Sequence, residues 1–518
     1  MILITSAAYV DAEFQAEFGK LPPAFLPIGN KRLFTLQIDA VRAAFPEENV
    51  WLTIPESYKV SPHDARILDS LRIAVLSVPD GLSLADSVLF SLNVVGVNNT
   101  TVRILHGDTY LPTIPERDNM IALASTQDYY NWEVEKSNAN DELVWCGYFS
   151  FSNTQELIKN LTICRGDFVN AIRGYSKTHP TEKALVDNWY DLGHINTFYK
   201  TRAKITTQRS FNELKISNTH VHKTGTPHHK IEAEGNWFHE LPVRLKGFVP
   251  QLMDRGVENG KPFYVTEFLY LAPLNELLVN GNNPKFFWKK IFRHLGSWLY
   301  ACSEQFPSAQ LETVIAGRPN LIVRKTTNRL KAFCEAMQFD MDSAVTFNGK
   351  RMPTINEVMN HCIQLALSKP MLPGILHGDL CFSNILYDSR ADMLKLIDPR
   401  AMDFNDQFTL YGDIAYDIAK VNHSIIGLYD YIIAGAFSIY RDGLDFNLEI
   451  FADERIEVLQ NAYLDEQLLP NITVVDYIPL TILLFLSMLP LHSDNKARQL
   501  ALFANAFRLY NQFIYKAR

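Results

Sequence analysis

Ile375-Leu376-His377-Gly378-Asp379-Leu380-Cys381-Phe382-Ser383-Asn384-Ile385-Leu386-Tyr387, followed shortly by Lys395-Leu396-Ile397-Asp398-Pro399-Arg400, is the most specific stretch of this chain. An apolar run leads into a loop carrying a histidine, an aspartate and an asparagine, and a second apolar run ends on another aspartate. The alternation predicts two short strands, around Asn384 to Tyr387 and Leu394 to Ile397, with polar groups at their ends. Phosphoryl transfer asks for such a set. It needs one group to orient the attacking hydroxyl and accept its proton, and oxygen ligands for a Mg²⁺ bridging nucleotide phosphates. Asp379 is the candidate base; Asn384 and Asp398 are the candidate metal ligands.

The string resembles the catalytic loop of the aminoglycoside phosphotransferase and choline/ethanolamine kinase superfamily, H-x-D-x-x-x-x-N with a metal-binding Asp after an apolar strand. His377, Asp379, Asn384 and Asp398 match it position for position. Gly412-Asp413-Ile414-Ala415-Tyr416-Asp417-Ile418-Ala419 is similar to the family's helix after the metal loop, with Asp413 and Asp417 tying the catalytic loop in place. The resemblance implies ATP and Mg²⁺ as cofactors and a catalytic pair, His377 and Asp379. Upstream, the strand His220 to Thr224 precedes a helix containing Ile231-Glu232-Ala233-Glu234. By the same resemblance Lys223 holds the nucleotide's phosphates and Glu234 fixes it, with Glu232 as the rival. No G-x-G-x-x-G precedes Lys223. Tyr264-Val265-Thr266-Glu267-Phe268 resembles the hinge strand that meets adenine, which puts Glu267 in the nucleotide site. Arg400 has two readings, a contact with phosphate or substrate and a structural salt bridge.

In the first 200 residues, short apolar runs alternate with helical stretches: Met1 to Thr5, Val50 to Ile54, Ile73 to Val78, Val102 to Leu105 and Met120 to Ala124, with helices such as Phe34 to Phe45 and Leu84 to Val94. This pattern predicts a doubly wound, mostly parallel α/β sheet. Lys20-Leu21-Pro22-Pro23-Ala24-Phe25-Leu26-Pro27-Ile28, and then a helix containing Gln37, resembles the P-K-P-L-x-P-V segment of sugar-1-phosphate nucleotidyltransferases. Leu105-His106-Gly107-Asp108 resembles that family's strand-end G-D, and Trp189-Tyr190-Asp191-Leu192-Gly193 its W-x-D-x-G. The resemblance implies Asp108 and Asp191 as Mg²⁺ ligands and CTP or another nucleoside triphosphate as ligand. The sequence departs from the family where Ser6-Ala7-Ala8-Tyr9-Val10-Asp11 replaces the glycine-rich loop and Pro23 replaces the lysine, leaving Lys20 as a substitute.

From about 205 to 270 the pattern is hairpin-like: Phe211 to Ile216, His220 to Thr224, a turn at Gly225 to Pro227, a helix from Ile231 to Leu241 and a strand from Phe263 to Phe268. Beyond 273 it is helix-dominated, with one interruption at the strands flanking the catalytic loop. The expected domains are residues 1–204, nucleotidyltransferase-like; 205–272, a small nucleotide lobe; and 273–518, a large helical lobe. Together the last two make an α+β bilobal, protein-kinase-like part. His220, His222, His228 and His229 read as turn histidines more than a metal cluster, and Phe286-Phe287-Trp288 as core more than a cation-binding wall.

The bulk properties fit this reading. A chain of 518 residues exceeds one ordinary core. A formal charge of −8 without a Lys/Arg cluster argues against a nucleic-acid partner. The six cysteines form no C-x-x-C pair, which suits a reducing, cytoplasmic setting. Met1 to Thr5 runs straight into a strand without a basic leader, unlike a signal peptide. Ile478 to Leu491, with two prolines, reads as a buried helix too short to span a bilayer. The expectation is an ATP-dependent kinase acting on a hydroxyl of a small metabolite, a sugar or a choline-like amino alcohol. By resemblance it is coupled to nucleotidyl transfer in capsule or lipopolysaccharide synthesis. Two alternatives stand beside it: a non-catalytic nucleotide-binding scaffold, and a nucleotide-sugar-dependent glycosyltransferase in the N-terminal domain.

Overall fold

Strand β1 (Ile2–Thr5) is buried along its whole length, as a central parallel strand flanked by helices must be. In the computed structural model, which describes residues 1–97, 100–136, 142–206, 212–217, 219–403 and 405–515, the chain divides into two units. The first is residues 1–206 with 280–283; the second is 207–279 with 284–518.

In the first unit β1 pairs in parallel with β2 (Val50–Pro55) and β4 (Val102–His106), and β2 with β3 (Ala74–Val78). Helices α1 (Leu33–Ala44), α2 (Pro62–Ser70) and α3 (Leu84–Val95) alternate with these strands; α2 and α3 are capped by Ser61 and Ser83. The sheet continues through β5 (Met120–Ser125), β6 (Val134–Lys136), β7 (Glu142–Phe151) and β8 (Glu182–Leu185) in the order β8-β5-β7-β4-β1-β2-β3, with β6 on β7. β7 runs antiparallel to both β4 and β5. The apolar patterning did not announce it, because Gly147, at φ 84°, breaks the run where the register shifts against β5. The chain winds outward from β1 to β3 and then returns to place β4 on the other side of β1. The carboxyl ends of β1 and β4 therefore form a topological switch point.

The second unit begins with four antiparallel strands, β9 (Asn212–Ile216), β10 (His220–Gly225), β11 (Leu252–Glu258) and β12 (Lys261–Glu267), ordered β9-β10-β12-β11. Phe211, expected to open β9, lies outside the described residues. β11 was not foreseen: it is an edge strand exposed over nearly all its length, so it carries no apolar alternation. Helix α4 (His228–Glu240) packs Ile231, Ala233, Trp237 and Phe238 inward. It comes close enough that a Cβ on Gly235 would meet the Tyr264 Cβ at 3.3 Å.

Helices then dominate: α5 (Lys285–Glu304), α6 (Lys325–Met337), α7 (Ala415–Ile425), α8 (Ile478–Met488) and α9 (Lys496–Phe513). On α5, Phe287, Trp288, Ile291, Phe292, Leu295, Trp298 and Leu299 form the inward stripe that 3.6-residue periodicity requires. The expected strands around the catalytic loop are β13 (Ile385–Asp388) and β14 (Met393–Leu396). They are not the only interruption. Ala344–Phe347, Lys350–Thr354, Phe437–Asp442 and Asp445–Ile450 form a further four-stranded sheet. Its first hairpin turns on Asn348-Gly349, both at positive φ, a turn signal present in the sequence. The apolar helical run also differs from expectation. With its flanking turns it spans Val474–His492, long and apolar enough by length and composition to cross a membrane, yet 78% of it is buried in the protein as a core element.

Candidate functional site

The catalytic-loop residues of the second unit converge because α7 holds the loop from beneath. Asp417, in the first turn of α7, accepts the backbone N–H of His377 at 2.9 Å and of Gly378 at 2.8 Å. Burial pushes its carboxyl up to about 7. Asp413 takes the N–H groups of Leu372 and Ala415 and pairs with Arg318 at 3.0 Å. Further along α7, Ser424 accepts the N–H of Phe382 at 3.0 Å. Phe382 in turn stacks on Trp288, and Phe287 meets Tyr387 edge-on, so this aromatic group is core, although Phe286 points outward.

Asp379 stands on this platform with its side chain 42% exposed. The Asn384 side-chain amide donates to its backbone oxygen at 2.9 Å and to Oδ2 at 3.2 Å. Lys420, one turn beyond Asp417, holds Oδ1 at 2.8 Å. Burial alone would raise the Asp379 carboxyl, but the Lys420 ammonium overrides it and holds the group at about 2. Lys420 is itself raised: burial works against its charge, and Asp379 outweighs burial. Lys420 was absent from the sequence reading. Its signal was its place three residues after Asp417 on the same helix.

His377 corrects an expectation. It is fully buried, its Nε2 lies 3.0 Å from the Ile397 carbonyl oxygen, and its Nδ1 accepts the Asp379 N–H at 3.3 Å. That pattern requires the neutral Nε2–H tautomer, and burial lowers its pKa to about 4. The side chain is spent on holding the loop, a positioning contact where a catalytic one was expected.

Lys223, on β10, donates to Glu234 of α4 at 2.6 Å and to Asp398 at 3.0 Å. Tyr264 of β12 donates to the same Glu234 oxygen at 2.9 Å. Glu234 is buried and Glu232 is exposed, which decides between them. The Lys223 ammonium is raised: desolvation opposes its charge, but Asp398 and Glu234 more than compensate. Asp398 adopts φ 54°, a left-handed conformation that costs a non-glycine residue roughly 1 kcal/mol and turns its carboxylate toward Lys223. Glu267 behaves otherwise than expected. Its carboxylate accepts the Gln251 N–H at 3.0 Å, and its own N–H goes to the Gln251 carbonyl at 3.0 Å. Both groups join β12 to the start of β11 and are spent on the sheet. Arg400 donates its N–H to the His377 carbonyl at 2.8 Å, and its side chain makes no ion pair among the described residues.

In the first unit the two aspartates also meet. Thr109–Tyr110 pairs with Tyr190–Asp191, and Leu192 donates to the Asp108 carbonyl at 2.8 Å. Asp191 is engaged by His194 at 2.7 Å, Thr197 at 2.6 Å and the Gly193 N–H at 3.2 Å. Burial, and then the Asp191 charge, raise the Asp108 carboxyl to about 6. Tyr130 stacks on His194 at 3.9 Å, with Trp132 edge-on to Trp189.

A cavity of about 180 Å³ opens at the switch point, lined by Ser6, Ala7, Ala8, Pro23, His106 and Asp108 among others. Gly107 is obligatory there, since a Cβ would lie 2.7 Å from the Thr5 carbonyl oxygen. The loop after β1 spends its groups internally: Ser6 N–H on Thr53, Ser6 Oγ on the Ala24 N–H, Val10 N–H on Leu21. Lys20 is exposed, its ammonium 4.1 Å from the Tyr9 ring centroid. Among the described residues no group of three or more His, Cys, Asp or Glu is arranged to hold a metal, the histidines of β10 included.

No family model and no curated protein matches this chain. Among solved structures it is similar to a nucleoside-diphosphate-sugar pyrophosphorylase from Vibrio cholerae RC9, at 14% identity and TM-score 0.32, covering 39% of this chain and 98% of that one. It is also similar to aminoglycoside 2'-phosphotransferase-IIIa in its GDP complex, at 14% identity and TM-score 0.38, covering 62% and 98%. A third is aminoglycoside-3'-phosphotransferase of type VIII, at 12% identity and TM-score 0.28, covering 60% and 99%.

Proposed function

We propose that the second unit transfers the γ-phosphoryl group of ATP to a hydroxyl of a small metabolite. The observation that carries this is the Lys223–Glu234 pair joined to Asp398, beside the Asp379–Asn384–Lys420 group. In this reading Lys223, oriented by Glu234, holds the nucleotide's phosphates, and the segment after Glu267 meets the base. Asp379, kept anionic by Lys420, accepts the proton of the attacking hydroxyl. Asn384 spends its amide N–H on Asp379, its Oδ1 accepts the Ser383 hydroxyl at 3.4 Å, and Asp398 is 39% exposed. Two such oxygen donors fit a Mg²⁺ whose remaining ligands are phosphates and water. When bound, the ion neutralises charge on the transferred group. Residues 1–518 would act in the cytoplasm, supplying a phosphorylated precursor to capsule or lipopolysaccharide synthesis.

The first unit we read as binding a nucleotide or sugar phosphate without turning it over. Two oxygen ligands, Asp108 and Asp191, are close enough to repel, which a divalent cation would relieve. Yet the triphosphate cradle is missing, and a cavity of about 180 Å³ falls below the usual size of small-molecule sites. Pyrophosphate release from CTP or another triphosphate with sugar or amino-alcohol phosphates is expected to be nil; sustained release would restore the nucleotidyltransferase. For the kinase, ADP formation against a panel of sugars, choline, ethanolamine and glycerol derivatives should identify an acceptor. A panel without any responding acceptor favours the scaffold.

A further inference from the structure

A cavity of about 600 Å³ lies in the second unit against the back of the catalytic loop, lined by Leu376, Arg400, Gly412 and Tyr416 and, opposite them, by Thr313 and Gly317. Its volume suits a small metabolite. Arg400 is pinned at its backbone by His377, and Gly378 makes room for it, since a Cβ there would lie 2.8 Å from the Arg400 Cβ. Behind Tyr416, Lys325 donates to the Tyr416 hydroxyl at 3.1 Å. Arg329, on the next turn of α6, donates to the Ser487 carbonyl at 3.3 Å. Tyr416 and Lys420 stand one turn apart on α7, so the cationic wall is continuous with the group that holds Asp379.

Of the wall's two carboxylates, one is ion-paired and the other takes two backbone N–H groups on a single oxygen, Oδ1. Asp413 pairs with Arg318, and Asp403 accepts the N–H groups of Asn405 and Gln407. Lys325, Arg329 and Arg400 make no ion pair among the described residues. Burial favours the neutral phenol of Tyr416, yet Lys325, Lys420 and Arg400 bring its pKa down to about 8. The positive potential is therefore already registered by a neighbouring group.

We propose that this cavity is the acceptor site and that the acceptor carries an anionic group, phosphate or carboxylate, held by Arg400 with Lys325 and Arg329 behind it. The inference rests on the kinase reading for the word acceptor, but not for the anion site itself. It disfavours choline-like cations as substrates, because a quaternary ammonium would meet the Arg400 guanidinium, with Lys325 and Arg329 behind Tyr416, while Asp413 is already paired with Arg318. Arg400 supplies a planar, bidentate donor to an oxyanion, which a lone ammonium does not.

The test is calorimetric titration of inorganic phosphate and of acetate into the full chain, as wild type, R400Q, K325M and K223M, each checked for a native circular dichroism spectrum. Phosphate or acetate should bind the wild type and K223M alike and bind R400Q about tenfold or more weakly. K325M should show the same direction of change. Tighter phosphate assigns a sugar phosphate, tighter acetate a sugar acid. Absent binding in the wild type, or binding lost in K223M and kept in R400Q, overturns the proposal. A parallel ADP-release assay compares glucose, glucose 6-phosphate and gluconate. Preference for an anionic member that disappears in R400Q supports the site, and preference for choline that survives in R400Q overturns it. Arg400-dependent phosphate binding without ADP release from any acceptor leaves the anion site standing and removes the kinase.

Discussion

Asp379 and Lys420 form the contact on which the proposed chemistry turns, and it is a pair that residue spacing could show only in half. The H-x-D-x-x-x-x-N spacing lies within one loop and is legible as a string. The Lys420 partner is 41 positions away and reaches Asp379 only because α7 packs under the loop. Removing the ammonium as Lys420→Met should lower kcat by about 10- to 100-fold, the value of one charge-assisted hydrogen bond, with ATP affinity little changed. Steady-state kinetics and nucleotide titration would check it, and an unchanged kcat would show that Asp379 needs no such support. Glu234→Gln should act differently. By loosening Lys223 it should raise the KM for ATP along with lowering kcat.

At the same scale, Asp430 offers a pH signature. Its carboxyl is buried, its Oδ2 has no hydrogen-bond partner among the described residues, and burial raises its pKa to about 7. Between its unfolded value near 3.8 and that folded value, the folded chain holds a proton that the unfolded chain has released. Its contribution to stability is thus present in acid and is lost as pH rises through 7, at up to about 1.4 kcal/mol per pH unit. Asp430→Asn, neutral in both states, should lose this slope. Urea midpoints measured from pH 4 to 7 should therefore converge with or overtake those of the wild type as pH rises, and parallel curves would refute the assignment.

At the scale of elements, α7 is the support on which the catalytic loop rests. Asp417→Ala would leave the buried N–H groups of His377 and Gly378 without an acceptor, at about 1–3 kcal/mol each. Denaturation of this variant should show a loss of about 2–5 kcal/mol in the second unit, together with lost activity. Elements whose pattern is local were readable, as β1 to β5 and α1 show. Those defined by their partners were not. β11 is exposed along its edge, and β7 hides behind Gly147, whose Cβ would lie 2.5 Å from the Thr109 Oγ1. The sheet that includes Ala344–Phe347 and Asp445–Ile450 closes by a parallel pairing across about a hundred residues, a contact no window of sequence contains.

For the molecule as a whole, the two units carry opposite degrees of completeness. The second brings Asn384 to Asp379, and Glu234 and Asp398 to Lys223, leaves Asp379 and Asp398 partly exposed, and holds a cavity lined by Arg400. The first keeps two aspartates together, and its loop from Ser6 to Val10 spends its polar groups internally. A thermal-shift screen should show this asymmetry. ATP with Mg²⁺ at ~100 times its Kd should stabilise the second unit by ~2.7 kcal/mol. CTP with Mg²⁺ should shift the first unit modestly and without pyrophosphate release. Shifts from neither nucleotide would favour the scaffold for both.

The central claim is that Asp379 drives phosphoryl transfer. The most direct measurement follows the labelled γ-phosphoryl group of ATP onto an acceptor in the wild type and in Asp379→Asn, with ATP affinity measured alongside. We predict a loss of about 10²- to 10⁴-fold in transfer with ATP binding retained. Transfer at the wild-type rate in the variant would contradict it.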